Sequence, residues 1–167
     1  MTYTGKWFDI LDPDPESVDI IDIAHALSIT NRFTGHSNVP YSVAEHCVRM
    51  SYIVPTELAL DALMHDCAEA YVNDINSPLK NSEEMRPFRE IENRVEAVCR
   101  KALGIPGHTH DKRIKEYDMI MLVTEARDLG LAWWKWAYDV EPLDEVIHPW
   151  LWGTAEIQFL VRYGELK

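Results

Sequence analysis

Residues 58–69 read Leu58-Ala-Leu-Asp-Ala-Leu-Met-His-Asp-Cys-Ala-Glu69. Apolar side chains recur here at the three- and four-residue spacing of an α-helix, and Pro55 just before them suits a first helical turn. His65 and Glu69 continue the apolar stripe of this helix. Ionisable side chains are costly to bury unless they are paired or bound to something. The stretch therefore predicts a core helix that carries functional or carefully paired polar groups.

Helical patterns flank this stretch on both sides. Residues 42–45, Ser42-Val-Ala-Glu45, form a capping box in which each of the two side chains is expected to accept from the other's backbone amide. Gly104 is placed to end the long helix that precedes it. No segment shows the alternation of apolar and polar residues that is typical of a β-strand. The sequence predicts an all-α fold, a single bundle of about six main helices. They are expected at about residues 20–30, 42–53, 55–69, 83–103, 111–129 and 154–162.

The chain length indicates one domain. Its 167 residues are enough to bury a substantial core. Residues 1–19 are rich in Asp and Pro and are expected to form an irregular N-terminal arm. Residues 131–167 form a Trp-rich C-terminal extension that includes Trp133, Trp134 and Trp136. Residues 31–40 and 73–81 are expected to be loops.

Charge and composition narrow the class of partner. The net charge of −12 should repel nucleic-acid polymers, because contacts to phosphate dominate that affinity. No apolar run approaches the roughly 20 residues of a membrane helix. The three cysteines lack CxxC spacing and the N-terminus lacks a signal-peptide pattern, so a cytoplasmic protein is expected. A small anionic substrate would require a metal ion or a few convergent Arg and Lys side chains.

Four residues are candidate metal ligands. His65 and Asp66 are adjacent, so they can approach an ion from one side only and need ligands from other helices. His46, behind the capping box, and Asp118, entering an apolar helix, are the candidates. Such a mixed N/O set suits Zn, Mn, Fe, Co or Ni rather than Ca. The alternative is that His65 is a buried histidine satisfied within the core. Four such residues on three helices favour the metal site.

These residues also carry a resemblance to a known family. The pattern His46…His65-Asp66…Asp118 resembles that of the HD-domain metal phosphohydrolases, which are named for the His-Asp pair. The segment Val43-Ala-Glu-His-Cys47 looks like the one that bears the family's first histidine ligand. Residues 65–80 are similar, position by position, to the bacterial 5′-deoxynucleotidase branch. The resemblance covers roughly residues 19–80 together with Asp118.

The resemblance implies roles for several further residues. In the 5′-deoxynucleotidase branch, the residue matched by Glu69 orients or activates the attacking water and is catalytic. The position of Asp74 lies beside the sugar and favours 2′-deoxy substrates. Lys80 and Arg32 match residues that contact the substrate and its phosphate, and both would supply the positive field that the acidic chain lacks. His36, close to Arg32 in sequence, is a candidate donor to the phosphate or to the leaving group.

The arm and the small size resemble a compact phage and bacterial subgroup. That subgroup includes phage dATP triphosphohydrolases, in which apolar residues of the arm and a proline after the His-Asp helix sandwich the adenine. Pro78 matches the proline, and Ile20 or Ile21 is the candidate partner. The resemblance implies a divalent ion (Zn, Co or Mn, with a second ion such as Mg as an option). It also implies a homo-oligomer, either a dimer or a hexamer, and the host cytoplasm if the protein is phage-encoded.

The expected function is dephosphorylation of dATP, and also of dADP and dAMP, to deoxyadenosine by a metal-activated water. One alternative is a 5′-deoxynucleotidase that acts only on deoxynucleoside monophosphates. Another is a non-catalytic, nucleotide-binding HD module, against which the intact Glu69 argues. A cyclic-nucleotide phosphodiesterase fits less well, because Asp74, Pro78 and Lys80 follow the nucleotidase pattern.

Overall fold

The structure is a computed structural model that describes residues 1–105, 111–131 and 139–167. All regular secondary structure within these ranges is helical, which confirms the all-α prediction. One isolated antiparallel bridge joins Asn31 and Ser42. Trp133, Trp134 and Trp136 of the Trp-rich C-terminal segment lie outside the described ranges. The described α-helices are α1 (Ile20–Ile29), α2 (Val43–Ile53), α3 (Ala59–Leu63), α4 (Glu69–Val72), α5 (Ser77–Lys80), α6 (Arg86–Ala102), α7 (Lys112–Asp128) and α8 (Trp152–Leu166).

The helices α1, α6 and α7 begin and end close to the predicted residues. The Asp19 side chain accepts from the Ile21 amide at the start of α1, and Asp111 caps α7 in the same way. A short 3-10 turn, Glu83–Met85, leads into α6. Gly104 follows α6 at a φ of 60°, a left-handed conformation that glycine adopts without a Cβ clash.

The start of α2 confirms only half of the predicted capping box. The Ser42 hydroxyl accepts from the Glu45 amide at 3.1 Å. The Glu45 carboxylate does not return to Ser42: its Oε1 accepts from Arg49 Nε at 2.9 Å, and its Oε2 accepts from the Trp150 amide at 2.8 Å. Glu45 therefore ties α2 to the segment before α8, a long-range contact that overrides the local motif.

The predicted third helix is interrupted at its polar residues. Helix α3 ends at Leu63 and α4 begins at Glu69, so the prediction of a continuous helix is wrong. Between them, the Glu69 amide bonds to the Asp66 carbonyl, three residues back, at 3.0 Å. Adjacent residues of a regular helix point about 100° apart. In this tightened turn, His65 Nε2 and Asp66 Oδ2 lie 3.2 Å apart.

The core forms between α1, α2 and α8. Helix α1 packs against α8, α2 and α4, while α2 also packs against α3, α7 and α8. Leu27, Val48 and Phe159 are fully buried where these helices meet. Helix α8 is therefore a central part of the bundle and longer than predicted, although residues 131–167 were expected to form an extension.

The N-terminal arm is irregular, as predicted, and is attached to the bundle. Its one helical turn is the 3-10 turn Pro15–Ser17. The Phe8 ring stacks on Tyr71 with 3.8 Å between ring centroids, and the Thr4 hydroxyl donates to Asp22 on α1 at 2.8 Å. Across the described ranges, none of the helices has both the length and the apolar character needed to cross a membrane.

Candidate metal centre and cleft

Three ligand atoms converge at the interruption between α3 and α4. His46 comes from α2, and His65 and Asp66 come from the turn. Their ligand atoms all lie within 4.8 Å of one another, so the group could hold a metal ion. The two histidine Nε2 atoms are 3.3 Å apart, and Asp66 Oδ2 lies 3.2 Å from that of His65 and 3.9 Å from that of His46.

The other nitrogen of each imidazole is already engaged. His65 Nδ1 lies 2.8 Å from the Ala62 carbonyl oxygen, which can only accept, so this nitrogen carries the hydrogen. His46 Nδ1 lies 2.6 Å from Glu125 Oε1, a carboxylate oxygen that favours the same tautomer. In neutral imidazoles the two Nε2 lone pairs then face each other. A proton or a cation between them relieves this repulsion, and the N/O donor set suits a transition-metal ion.

Asp118 lies at the edge of this group. Its Oδ1 is 3.2 Å from His46 Nε2, although Asp118 lies outside the compact set of three residues. Burial acts to raise the pKa of the Asp118 carboxyl, but the hydrogen bond and charge of His46 lower it overall. Asp118 therefore remains ionised beside the group of three, and its role as a fourth ligand stays a prediction.

Asp66 remains ionised despite its burial. Desolvation raises its pKa, yet the charges of His65, His46 and Arg32 outweigh that effect and leave the pKa well below the usual range. Conversely, Asp66 raises the pKa of His65 well above its ordinary value, against desolvation. The carboxylate thus favours a positive charge at the centre of the group, whether a proton or a cation supplies it.

Arg32 reaches this group from a strained turn. Its Nε donates to Glu125 Oε2 at 3.0 Å, and its terminal nitrogens lie 3.7 Å from Asp66 Oδ2 and 4.0 Å from Asp118 Oδ1. Phe33 and Thr34 follow with φ values of 57° and 53°. Left-handed backbone is unfavourable for residues with a Cβ, above all for β-branched ones, and such strain recurs at functional sites.

A cleft of about 350 Å³ opens beside the candidate metal group. The predicted loop 73–81 contains α5, which lies on the cleft wall. The Asn76 side chain caps this helix by accepting from the Leu79 amide at 3.1 Å, and Pro78 occupies its first turn. The Asn-Ser-Pro sequence could have revealed this helix. The cleft is lined by Arg32, Phe33, Asp66, Glu69, Asp74, Ile75, Asn76, Ser77, Pro78, Lys80, Asp118 and Leu122.

Glu69 combines burial with an unpaired oxygen. Its Oε1 accepts from Lys80 Nζ at 3.2 Å, whereas no described residue bonds to its buried Oε2. Burial, together with the charges of Asp66 and Asp74, raises the pKa of Glu69 well above its ordinary value, against the effect of Lys80. Lys80 also donates to Glu92 on α6 at 2.8 Å. A carboxylate of raised pKa with a free oxygen can accept a proton from a reacting group.

The structure brings most of the predicted site residues to this one cleft, with three exceptions. His36 is exposed and does not line the cleft. Ile20 packs against the core and Ile21 is 43% exposed, so neither lines the cleft wall opposite Pro78. The residues that do meet at or beside the cleft are His46, His65, Asp66, Asp118, Glu69, Arg32, Asp74, Pro78 and Lys80.

Two glutamates at the site were not predicted from the sequence. Glu125 follows Asp118 by seven residues, which is close to two helical turns, and therefore shares its face of α7. Its position inside the apolar run Met121-Leu-Val-Thr-Glu125-Ala was an available indication. Glu92 lies on an otherwise charged helix and carried no such indication.

Comparison with known proteins places the chain in a family. It is 38% identical over 171 residues to the uncharacterized protein YfdR of Escherichia coli K12, covering 99% of this chain and 94% of that protein. The chain belongs to the YfdR family. The chain is also 30% identical to the uncharacterized protein RCAP_rcc00048 of Rhodobacter capsulatus. That match extends over 113 residues, which is 62% of this chain and 57% of that protein. No family model matches the chain.

Proposed function

We propose that the protein is a metal-dependent phosphohydrolase of deoxynucleotides, of the HD-domain type that its motifs resemble. One observation carries the proposal. Glu69, buried and with a carboxylate oxygen that no described residue bonds, lies in the same cleft as Asp66 of the candidate cation-binding group and as Asp118 beside that group. An ion-binding group and a proton acceptor that share one cleft are what hydrolysis by an activated water requires.

The donor set fits a divalent transition-metal ion. His46, His65 and Asp66 would hold it, with Asp118 beside them. A bound Zn, Co or Mn ion lowers the pKa of a coordinated water and polarises a phosphoryl oxygen. Glu69 is the residue proposed to orient the attacking water and accept its proton. Lys80, paired with Glu69 at 3.2 Å, holds that carboxylate in place.

The cations of the cleft are proposed to bind phosphate. Arg32 and Lys80 both line the cleft, and each contacts carboxylates of the protein. The lining carries four carboxylates against these two cations. A phosphate must therefore replace a protein carboxylate as the partner of Arg32 or Lys80, or arrive with its own metal ion. dATP remains the leading substrate from the resemblance. The charge balance favours a second candidate, a 5′-deoxynucleotidase, because a monophosphate carries less negative charge.

The rest of the cleft is suited to a nucleoside. Asp74 lies on the lining, where its carboxylate is proposed to contact the sugar and favour 2′-deoxy substrates. Phe33, Ile75, Pro78 and Leu122 give apolar surface for a base. In this arrangement Phe33 and Leu122 replace Ile20 and Ile21 as candidate partners of Pro78. Preference for adenine rests on the resemblance alone.

A substrate panel tests the proposal. Protein loaded with Mn, Co or Zn is incubated with the four dNTPs, the four dNMPs, ATP and AMP, and the products are separated by chromatography. We expect deoxyadenosine from dATP and slower reaction of the ribonucleotides. Phosphate release from dAMP but not from dATP would establish the second candidate. Absence of turnover with every metal contradicts the enzyme, and nucleotide binding without turnover would indicate a non-catalytic module.

A further inference from the structure

Glu125 joins the metal-binding group to the proposed phosphate-binding residue. Its side chain is fully buried in α7. One oxygen, Oε1, lies 2.6 Å from His46 Nδ1, and the other, Oε2, accepts from Arg32 Nε at 3.0 Å. The two partners come from separate parts of the chain, because His46 lies on α2 and Arg32 lies in the strained turn before it.

Burial of this carboxylate is costly unless both oxygens are satisfied. A charge removed from water loses its hydration, and well-placed charged hydrogen bonds are needed to offset that loss. Glu125 makes two such bonds, and it lies on the side of the His46 ring away from the candidate ion. Outer carboxylates of this kind set the tautomer and orientation of a ligating histidine.

We propose that Glu125 is a positioning residue that fixes the metal ligand His46 and the guanidinium of Arg32 through a single carboxylate. Accepting at His46 Nδ1 leaves the Nε2 lone pair directed at the ion-binding group. Accepting at Arg32 Nε directs its terminal nitrogens toward Asp66 and Asp118 at the cleft. The Arg32 half rests on the proposed function, whereas the His46 half requires only that the group binds a cation.

The substitution Glu125→Gln separates this role from that of a simple buried ion pair. Glutamine has the same shape but offers one acceptor oxygen and one donor nitrogen, so it cannot accept from both partners. Arg32 has no acceptor, so the glutamine oxygen will face Arg32 and its NH₂ will face His46. His46 must then accept at Nδ1 and carry its hydrogen on Nε2, which removes one nitrogen ligand from the ion.

Glu45 offers a matched control. It is also a fully buried glutamate with both oxygens engaged, by Arg49 and the Trp150 amide, and it contacts none of the candidate ligands through its side chain. Glu45→Gln makes the same replacement of a buried, doubly bonded carboxylate, so it reports what that change does away from the candidate ligands. A role confined to stability would therefore give the two variants the same phenotype.

The test measures Co²⁺ affinity by competition with a chromophoric chelator, in the absence of nucleotide. We expect Glu125→Gln to weaken Co²⁺ binding by about 10–100-fold, whereas Glu45→Gln binds like the wild type. Glu125→Asp keeps both acceptors and should lose less affinity than Glu125→Gln. Equal Co²⁺ affinity in the wild type and Glu125→Gln overturns the proposal, as does an equal loss in Glu45→Gln.

Two further measurements complete the design. If Glu125→Gln does not fold, Glu125→Asp decides the question. Its carboxylate keeps two acceptor oxygens but is one methylene shorter, so it cannot reach His46 and Arg32 at full hydrogen-bond distance together. Co²⁺ affinity should therefore still fall, and unchanged Co²⁺ affinity overturns the proposal. Equilibrium binding of dAMP at saturating Co²⁺ tests the Arg32 half, measured in the Glu69→Gln background so that the nucleotide is not hydrolysed. We expect binding to weaken when Glu125→Asp is added but not when Glu45→Gln is added. Because neither measurement depends on turnover, failure of the proposed enzyme activity remains distinguishable from failure of the role of Glu125.

Discussion

The Nε2 atoms of His46 and His65 face each other at 3.3 Å. Their Nδ1 atoms are directed away, toward Glu125 and the Ala62 carbonyl. Two neutral imidazoles held in this way present lone pairs to each other, and a proton or a cation between them relieves the repulsion. Asp66 adds a carboxylate to the same point. This relationship is the basis of the predicted cation site.

Loss of the Asp66 carboxylate should abolish tight metal binding. Asp66→Asn keeps the size of the side chain but removes the charge that favours a cation beside His65. We expect Co²⁺ or Mn²⁺ affinity to fall by more than about 100-fold, beyond the usual effect of an outer-sphere substitution. Titration with a chelator competitor measures the change. Asp12→Asn, in the exposed part of the arm, is the control and should bind as the wild type does.

Glu69→Gln should separate metal binding from turnover. The amide preserves the shape of the side chain but cannot accept a proton from water, so kcat should fall by about 10²–10⁴-fold while metal content is retained. Steady-state rates and metal analysis of the same preparation measure both quantities. Survival of the wild-type rate in a metal-loaded Glu69→Gln sample would show that our role for Glu69 is wrong.

Glu96 on α6 should make the metal-free protein less stable as the pH rises. Burial raises the pKa of this carboxyl from 4.5 to about 7, although Arg100 and His65 act to lower it. A raised carboxyl pKa contributes stability that is complete below pH 4.5 and lost as the pH rises toward 7. Its contribution falls by on the order of 1 kcal/mol per pH unit in that window.

Substitution of Glu96 by glutamine should therefore flatten this decline. Urea unfolding of wild-type and Glu96→Gln protein between pH 4.5 and 8 measures the difference, with metal removed by chelation. Glu90→Gln, on the exposed face of the same helix, is the control and should keep the wild-type slope. Parallel pH profiles for wild type and Glu96→Gln would contradict the assignment.

The strained turn after Arg32 should be relieved by glycine. Thr34 has a φ of 53°, a left-handed conformation that is unfavourable for a β-branched residue. Thr34→Gly should raise the free energy of unfolding by about 0.5–1 kcal/mol, since the relief of strain exceeds the added entropy of the unfolded chain. Thr56→Gly should lower it, because Thr56 is exposed with an ordinary negative φ. Urea unfolding of both variants checks the opposite signs.

The helices with both periodicity and caps were predictable from the sequence. Asp19 and Asp111 begin α1 and α7 because each side chain can satisfy an amide of the first turn, a local interaction. The break at residues 64–68 was not predictable in this way. There the His65 ring donates a hydrogen bond to the Ala62 carbonyl. The position of that ring also depends on His46, which is far away in sequence.

The site was predictable where residue type and spacing carried the information. His46, His65 and Asp66 form the predicted group. Glu69, Asp74 and Lys80, to which the family resemblance pointed, line the cleft beside it. The candidate partners Ile20 and Ile21 of Pro78 were not placed correctly from the sequence, because both belong to the first turn of α1 and not to the arm. There Ile20 packs against the core and Ile21 is exposed, and neither lines the cleft.

Metal dependence of phosphate release is the most direct test of the whole account. The protein is stripped with a chelator, titrated with Co²⁺ or Mn²⁺, and assayed for phosphate release from dATP and dAMP at each addition. We predict no release from the stripped protein, recovery that saturates with the added cation, and no recovery in Asp66→Asn. Release that is indifferent to stripping, or absent with every cation, would contradict the account.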